Sequence, residues 1–173
     1  QPMRSYALDL FGPVSLGDYD SDGGLDVLGV TNADEFPEIR AWSFVEGVDG
    51  LPALQTASVV PLQPGLVLDF AHCGNNVYTL LSGLETQTLH RIRIDAAAGE
   101  YSLTDMWGAK EVSGDRIACG RVSPSANGVA LSGLNGDWVV YDNNGDEIDA
   151  GVMDPVSAIA LADTDADGID EVY

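Results

Sequence analysis

The chain has 173 residues, of which 45% are hydrophobic, and its 28 acidic and 7 basic side chains give a net charge of −21. This length suits one globular domain with a sizeable core, and no apolar run approaches the roughly 20 residues that span a bilayer. The acidic balance excludes nucleic acids and anionic membranes as partners, because both would repel the chain.

The first candidate site along the chain is an Asp-rich loop. In the segment from Asp18 to Asp26, carboxylates occupy positions 1, 3, 5 and 9, and glycine occupies position 6. Calcium takes six to eight oxygens at about 2.3–2.6 Å, and this spacing wraps carboxylates round one point. We expect the ligands to be Asp18, Asp20, Asp22, the Gly24 carbonyl and Asp26.

An EF-hand is the obvious alternative for an Asp-x-Asp-x-Asp-Gly pattern, but it needs an acid at position 12 and flanking helices. Position 12 of this loop is Gly29, inside the strand-like run Val27 to Val30. The other alternative is an acidic turn that binds nothing. Carboxylates this close repel one another without a cation, which favours a metal. Mg²⁺ is disfavoured because it keeps several waters.

The middle of the chain reads as short strands separated by turns. Strands are predicted at 39–45, 88–95 and 138–141, and the polar segment 142–146 is expected to be a hairpin turn. No long window shows a helical period, so we expect few helices. His90 lies in an alternating strand and is expected at the surface.

A second Asp-rich loop lies near the end of the chain and repeats the first pattern. Its expected calcium ligands are Asp163, Asp165, Asp167, the Ile169 carbonyl and Glu171, with the neighbouring Asp170 pointing away.

These features recur with a period of about 48 residues. Leu-Ser-Gly-Leu occurs at 81–84 and again at 131–134. The approximate repeats are 14–66, 67–115, 116–157 and an incomplete 158–173. About four short strands in each repeat predict an all-β fold of β-propeller blades. Three and a half blades are too few for most closed rings, so we expect one segment of a larger or multi-chain propeller.

The two Asp-rich segments resemble the calcium hairpins of FG-GAP/VCBS-type repeats, which occur in integrin α-subunit propellers and in many secreted bacterial proteins. The resemblance covers Gly17 to Val30 and Ala162 to Val172. It implies that each calcium loop joins the first two strands of a blade. The two middle repeats have lost the acids and should carry no metal. In the repeat 67–115 the corresponding turn contains His72, and we expect this side chain to cap the turn rather than to act in catalysis.

Cys73 and Cys119 are the only cysteines, and alone they fit either two buried hydrophobes or one disulfide. Both lie in the degenerate repeats, near the same strand end. A disulfide there would replace the lost calcium as a staple, so we favour it.

The expected function is therefore an extracellular, cell-surface or periplasmic calcium-binding module that interacts with a protein or glycan. No signal peptide is visible, and no nucleophile, phosphate-loop or triad motif indicates an enzyme. Two alternatives remain: an accessory subunit of a filament or enzyme complex, and a non-catalytic part of a secreted polysaccharide-degrading enzyme.

Overall fold

A computed structural model describes residues 10–19, 22–31, 36–47, 52–97, 100–154 and 158–173. These residues form fifteen β-strands and no helix, so the expected all-β class is confirmed. In the part of the chain described, no helix is long and apolar enough to cross a membrane.

The first sheet has the order β1-β2-β3-β4, and the second has β5-β6-β7-β8 with β9 also paired to β7. The third has the order β10-β11-β12-β13, and β14 pairs with β15. All of these pairings are antiparallel. Each joins strands that are consecutive in the chain, except the pairing of β9 with β7. The strands are β1 (Phe11–Gly17), β2 (Asp26–Thr31), β3 (Glu38–Glu46), β4 (Pro52–Pro61), β5 (Leu66–Cys73), β6 (Asn76–Ser82), β7 (Gln87–Ala97), β8 (Glu100–Asp105), β9 (Lys110–Val112), β10 (Arg116–Ser123), β11 (Ala126–Ser132), β12 (Asp137–Tyr141), β13 (Glu147–Val152), β14 (Leu161–Ala162) and β15 (Glu171–Val172).

The sequence patterns explain where these strands begin and end. The predicted strands at 39–45, 88–95 and 138–141 lie within β3, β7 and β12. The expected hairpin turn at 142–146 joins β12 to β13, and the Gly145 N–H donates to the Asp142 carbonyl at 3.0 Å. Gly145 has a φ of 84°, a left-handed conformation that glycine adopts without steric cost.

Two apolar clusters lie between successive sheets. Side chains of the first and second sheets share one cluster, which includes Leu28, Ile39, Val77 and Ile92. The opposite face of the second sheet packs against the third sheet in another cluster. Because adjacent residues on a strand point to opposite faces, β6 contributes Val77 and Leu81 to one cluster and Tyr78 and Leu80 to the other.

The first strand of each sheet contacts the first strand of the next sheet. Contacts join β1 to β5, β5 to β10 and β10 to β14, and the fourth strands β4 and β8 also touch. Consecutive sheets therefore pack side by side with their first strands adjacent.

Candidate functional site: two Asp-rich hairpin loops

The two Asp-rich loops occupy corresponding places in the fold. The loop from Asp18 to Asp26 joins β1 to β2, and the loop from Asp163 to Glu171 joins β14 to β15. Each therefore connects the first two strands of its sheet. Asp20, an expected ligand of the first loop, lies outside the described residues.

A shared set of hydrogen bonds gives the two loops the same backbone shape. The N–H at position 6 donates to the carboxylate at position 1: Gly23 to Asp18 at 3.1 Å and Gly168 to Asp163 at 3.0 Å. The glycines at position 6 have φ angles of 85° and 86°, so both loops need a left-handed residue there.

Two further bonds also recur. The N–H at position 7 donates to the carboxylate at position 5, from Gly24 to Asp22 at 2.6 Å and from Ile169 to Asp167 at 2.8 Å. The N–H at position 2 donates to the carboxylate at position 9 in both loops, at 3.0 Å. These last pairs are Tyr19 with Asp26 and Thr164 with Glu171.

In the second loop, three of the expected ligands lie together. Asp163, Asp165 and Asp167 are exposed, and each offers a carboxylate oxygen within 4.8 Å of the others. Oxygens at about 2.3–2.6 Å from one ion can be that far apart, so this donor set fits calcium. The Asp163 and Asp167 bonds described above use one oxygen of each carboxylate, which leaves the other oxygen for an ion.

Glu171 lies at position 9 of the second loop and is held by Thr164. Hydrogen bonds from the N–H and hydroxyl of Thr164 lower the pKa of Glu171 below its usual value, so it stays ionised. Asp170 faces the third sheet instead, where its Oδ2 accepts a bond from the Arg121 N–H at 2.6 Å.

The corresponding residue of the first loop, Asp26, is only 2% exposed. Its Oδ2 accepts the Tyr19 N–H, and no ion pair joins it to a described Lys or Arg. Burying a carboxylate is costly unless positive charge or several donors compensate it. A cation in this loop would provide that compensation.

Tyr19 connects the first loop to the second sheet. Its hydroxyl donates to Ser15 Oγ at 2.7 Å, and Ser15 Oγ lies 3.0 Å from His72 Nδ1. The rings of Tyr19 and His72 meet edge to face with centroids 5.0 Å apart. Burial lowers the pKa of His72, and a hydrogen bond with the Gly74 backbone opposes this shift. The sequence pattern of the loop does not predict this contact with His72, because it concerns only carboxylates and glycines.

Cys73, next to His72, forms a disulfide with Cys119 of β10, and their Cα atoms are 5.9 Å apart. The bond joins the second sheet to the third near the turns that replace the Asp-rich loops. Asn127 adds a hydrogen bond from its Nδ2 to the Cys73 carbonyl at 3.4 Å. Each of the three boundaries between neighbouring sheets thus has its own link near this end of the strands. The links are the hydrogen bonds from Tyr19 through Ser15 to His72, the disulfide, and the bond between Asp170 and Arg121.

The expected surface position of His90 is wrong. His90 is 1% exposed, and its Nδ1 lies 2.9 Å from Asp105 Oδ2. The alternating pattern identified a polar residue on one face of β7. It could not show that the first sheet covers this face.

No protein-family model matches this chain, and no curated protein matches it either. The FG-GAP/VCBS-type resemblance therefore rests on the residues of the two Asp-rich loops.

Proposed function

We propose that this chain is a calcium-binding module of the FG-GAP/VCBS-type β-propeller class, which acts outside the cytoplasm and binds a partner without catalysing a reaction. The observation that carries this proposal is the set of three hydrogen bonds that the two Asp-rich loops share. Two separate segments repeat three carboxylate–backbone bonds at the same positions. Calcium would neutralise the three converging carboxylates of the second loop, and the same residue spacing extends the proposal to the first loop.

The packing of the sheets supports the propeller part of this proposal. In a propeller, four-stranded blades surround a central channel, so the innermost strands of neighbouring blades are adjacent. Contacts from β1 to β5, β5 to β10 and β10 to β14 match this arrangement. Most closed rings have at least four blades, so the ring would also include blades from elsewhere in the protein or from another chain.

The disulfide supports a location in an oxidising compartment. Cysteine pairs persist in extracellular and periplasmic proteins and are rare in the reducing cytosol. Cys73–Cys119 joins the first strands of two sheets whose hairpin turns lack the acids of the Asp-rich loops.

Exposed apolar side chains at the opposite end of the strands support a protein partner. Leu84 and Leu134 lie in equivalent turns, between β6 and β7 and between β11 and β12, and are 107% and 70% exposed. Phe36, between β2 and β3, is 64% exposed. Turns that repeatedly present large apolar residues favour docking to a protein surface.

A glycan platform has less support. Exposed aromatic rings commonly stack on sugars, but Trp42 is only 6% exposed. Trp107 packs against Tyr78 with ring centroids 5.6 Å apart, and Gly145 lies against its indole. Both rings serve packing between or within sheets.

Calcium titration calorimetry tests the proposal. The chain, first treated with chelator, should bind two calcium ions, and its melting temperature should rise with calcium because the ion binds only the folded state. Asp165→Asn should remove one of the two ions. Asp149→Asn, at an exposed position of β13, should leave both and controls for the general loss of negative charge.

Two outcomes would refute the calcium assignment. One is a melting temperature that calcium leaves unchanged at low ionic strength. The other is an equal loss of binding in the Asp165 and Asp149 variants. Native mass spectrometry in calcium then tests for a stable assembly, which would favour the accessory-subunit alternative.

A further inference from the structure

Two fully buried polar side chains face each other within the second sheet. Thr79 of β6 and His90 of β7 are directly opposite in the antiparallel register. Residues paired in this way project from the same face of a sheet. Thr79 is 0% exposed and His90 is 1% exposed. Neither Thr79 Oγ1 nor His90 Nε2 has a hydrogen-bond partner among the described residues.

The other ring nitrogen of His90 is hydrogen-bonded to Asp105. Nδ1 lies 2.9 Å from Asp105 Oδ2. Burial alone would raise the pKa of Asp105, but hydrogen bonds from His90 and from the N–H groups of Gly108 and Trp107 lower it overall. Asp105 is therefore an acceptor, and Nδ1 carries the proton. In the neutral ring with a protonated Nδ1, Nε2 is a hydrogen-bond acceptor.

The surroundings of the two unpartnered atoms are apolar. Phe70 is paired with Thr79 across β5 and β6, and Val77, Leu81 and Ile92 project from the same face into the cluster shared with the first sheet. A buried polar atom without a partner is destabilising in such surroundings. Because one histidine and one threonine are too few ligands for a metal, the group that completes the site must be small, neutral and able to donate.

We propose that one water molecule binds between Thr79 and His90, donating a hydrogen bond to Nε2 and sharing a second with the threonine hydroxyl. Buried waters of this kind satisfy polar groups that the protein cannot pair, and two to four hydrogen bonds hold them. A continuous series of hydrogen bonds then runs from Asp105 through His90 and the water to Thr79, across β8, β7 and β6.

This series has the acid–histidine–hydroxyl order of a hydrolytic triad, but its histidine and its hydroxyl are both closed to solvent. Its role is therefore structural: it pairs polar groups within the core and joins three strands.

Nuclear magnetic resonance tests the site in the intact chain. Long-range proton–nitrogen spectra should show His90 with its proton on Nδ1, and His72→Gln assigns the signals because the chain has only 2 histidines. A cross-peak should connect a long-lived water to the His90 ring. Thr79→Val should abolish that cross-peak and shift Nε2, whereas Thr79→Ser should retain it.

The matched control is Thr104→Val, at an exposed position of β8 next to Asp105, which should leave the water in place. The proposal is wrong if His90 carries its proton on Nε2. It is equally wrong if the unmodified chain shows a direct bond from the Thr79 hydroxyl to Nε2 and no water cross-peak. Both outcomes are read from the unmodified chain, so they do not depend on whether a variant folds.

Discussion

Asp170 and Arg121 join the last hairpin to the third sheet through two hydrogen bonds. The Arg121 N–H donates to Asp170 Oδ2 at 2.6 Å, and the Asp170 N–H donates to the Arg121 carbonyl at 2.7 Å. The first loop has the exposed Leu25 at the same position. The two adjacent acids of this loop therefore have different roles. Glu171 accepts the Thr164 N–H within the loop, and Asp170 attaches the loop to the third sheet.

Replacing Asp170 should weaken the attachment of the hairpin without removing the calcium site. We expect Asp170→Ala to lower the free energy of unfolding by about 1 kcal/mol, the usual net value of one such hydrogen bond. Asp154→Ala, which removes an exposed acid outside both loops, corrects for reduced repulsion between like charges. Urea unfolding in calcium gives the stabilities, and calorimetry gives the affinity. Loss of one calcium ion in Asp170→Ala would contradict the separation of these roles.

Removal of the disulfide should destabilise the fold strongly. Cys73 and Cys119 are separated by 46 residues, and closing a loop of that size lowers the entropy of the unfolded chain by an amount worth about 4 kcal/mol. The double variant Cys73→Ser, Cys119→Ser should lose up to that much in urea unfolding. Reductant should shift the midpoint of the unmodified chain towards that of the variant. An unchanged midpoint under full reduction would rule out a stabilising bond.

Sequence patterns predicted the strands well because strand formation here depends on local alternation and on turn residues. They also located both Asp-rich loops, since carboxylate spacing and glycine at position 6 are local features. What they missed depends on neighbouring sheets. His90 is buried because the first sheet covers its face, and the contact between Asp170 and Arg121 joins residues 49 apart in the chain. Neither relationship can be obtained from the periodicity of one strand.

His72 should make the stability depend on pH in the acidic range. Burial lowers its pKa from 6.5, so the unfolded chain binds a proton more readily than the folded chain below that pH. Stability should therefore fall as the pH decreases from 6.5 through the lowered pKa of the folded state, and it should be independent of this group at higher pH. The pH dependence of urea unfolding measures this effect.

The matched variant is His72→Gln, which keeps a polar side chain beside Ser15 and cannot take up a proton. Its stability should vary less with pH in the same range than that of the unmodified chain. The same slope in both proteins would assign the acid sensitivity to other groups.

Tyr78 should ionise later than the other tyrosines. Its ring is buried between the second and third sheets, and its hydroxyl donates to Asn143 Oδ1 at 3.2 Å. Burial raises the pKa of Tyr78 to about 12, although Arg91 opposes this shift. Since an unfolded tyrosine ionises near 10, the folded state holds this proton more tightly, and stability should fall as the pH rises above 10.

Ultraviolet absorbance of tyrosinate measures this titration directly. Of the 6 tyrosines, one should ionise about 2 pH units late in the folded chain, and Tyr78→Phe should lack that late step. Tyr141 is the appropriate control because it is less buried and its pKa is also raised, by burial and by Glu147. Tyr141→Phe should therefore keep the latest step. If that step instead disappears in Tyr141→Phe and persists in Tyr78→Phe, burial of Tyr78 is not the cause of the late ionisation.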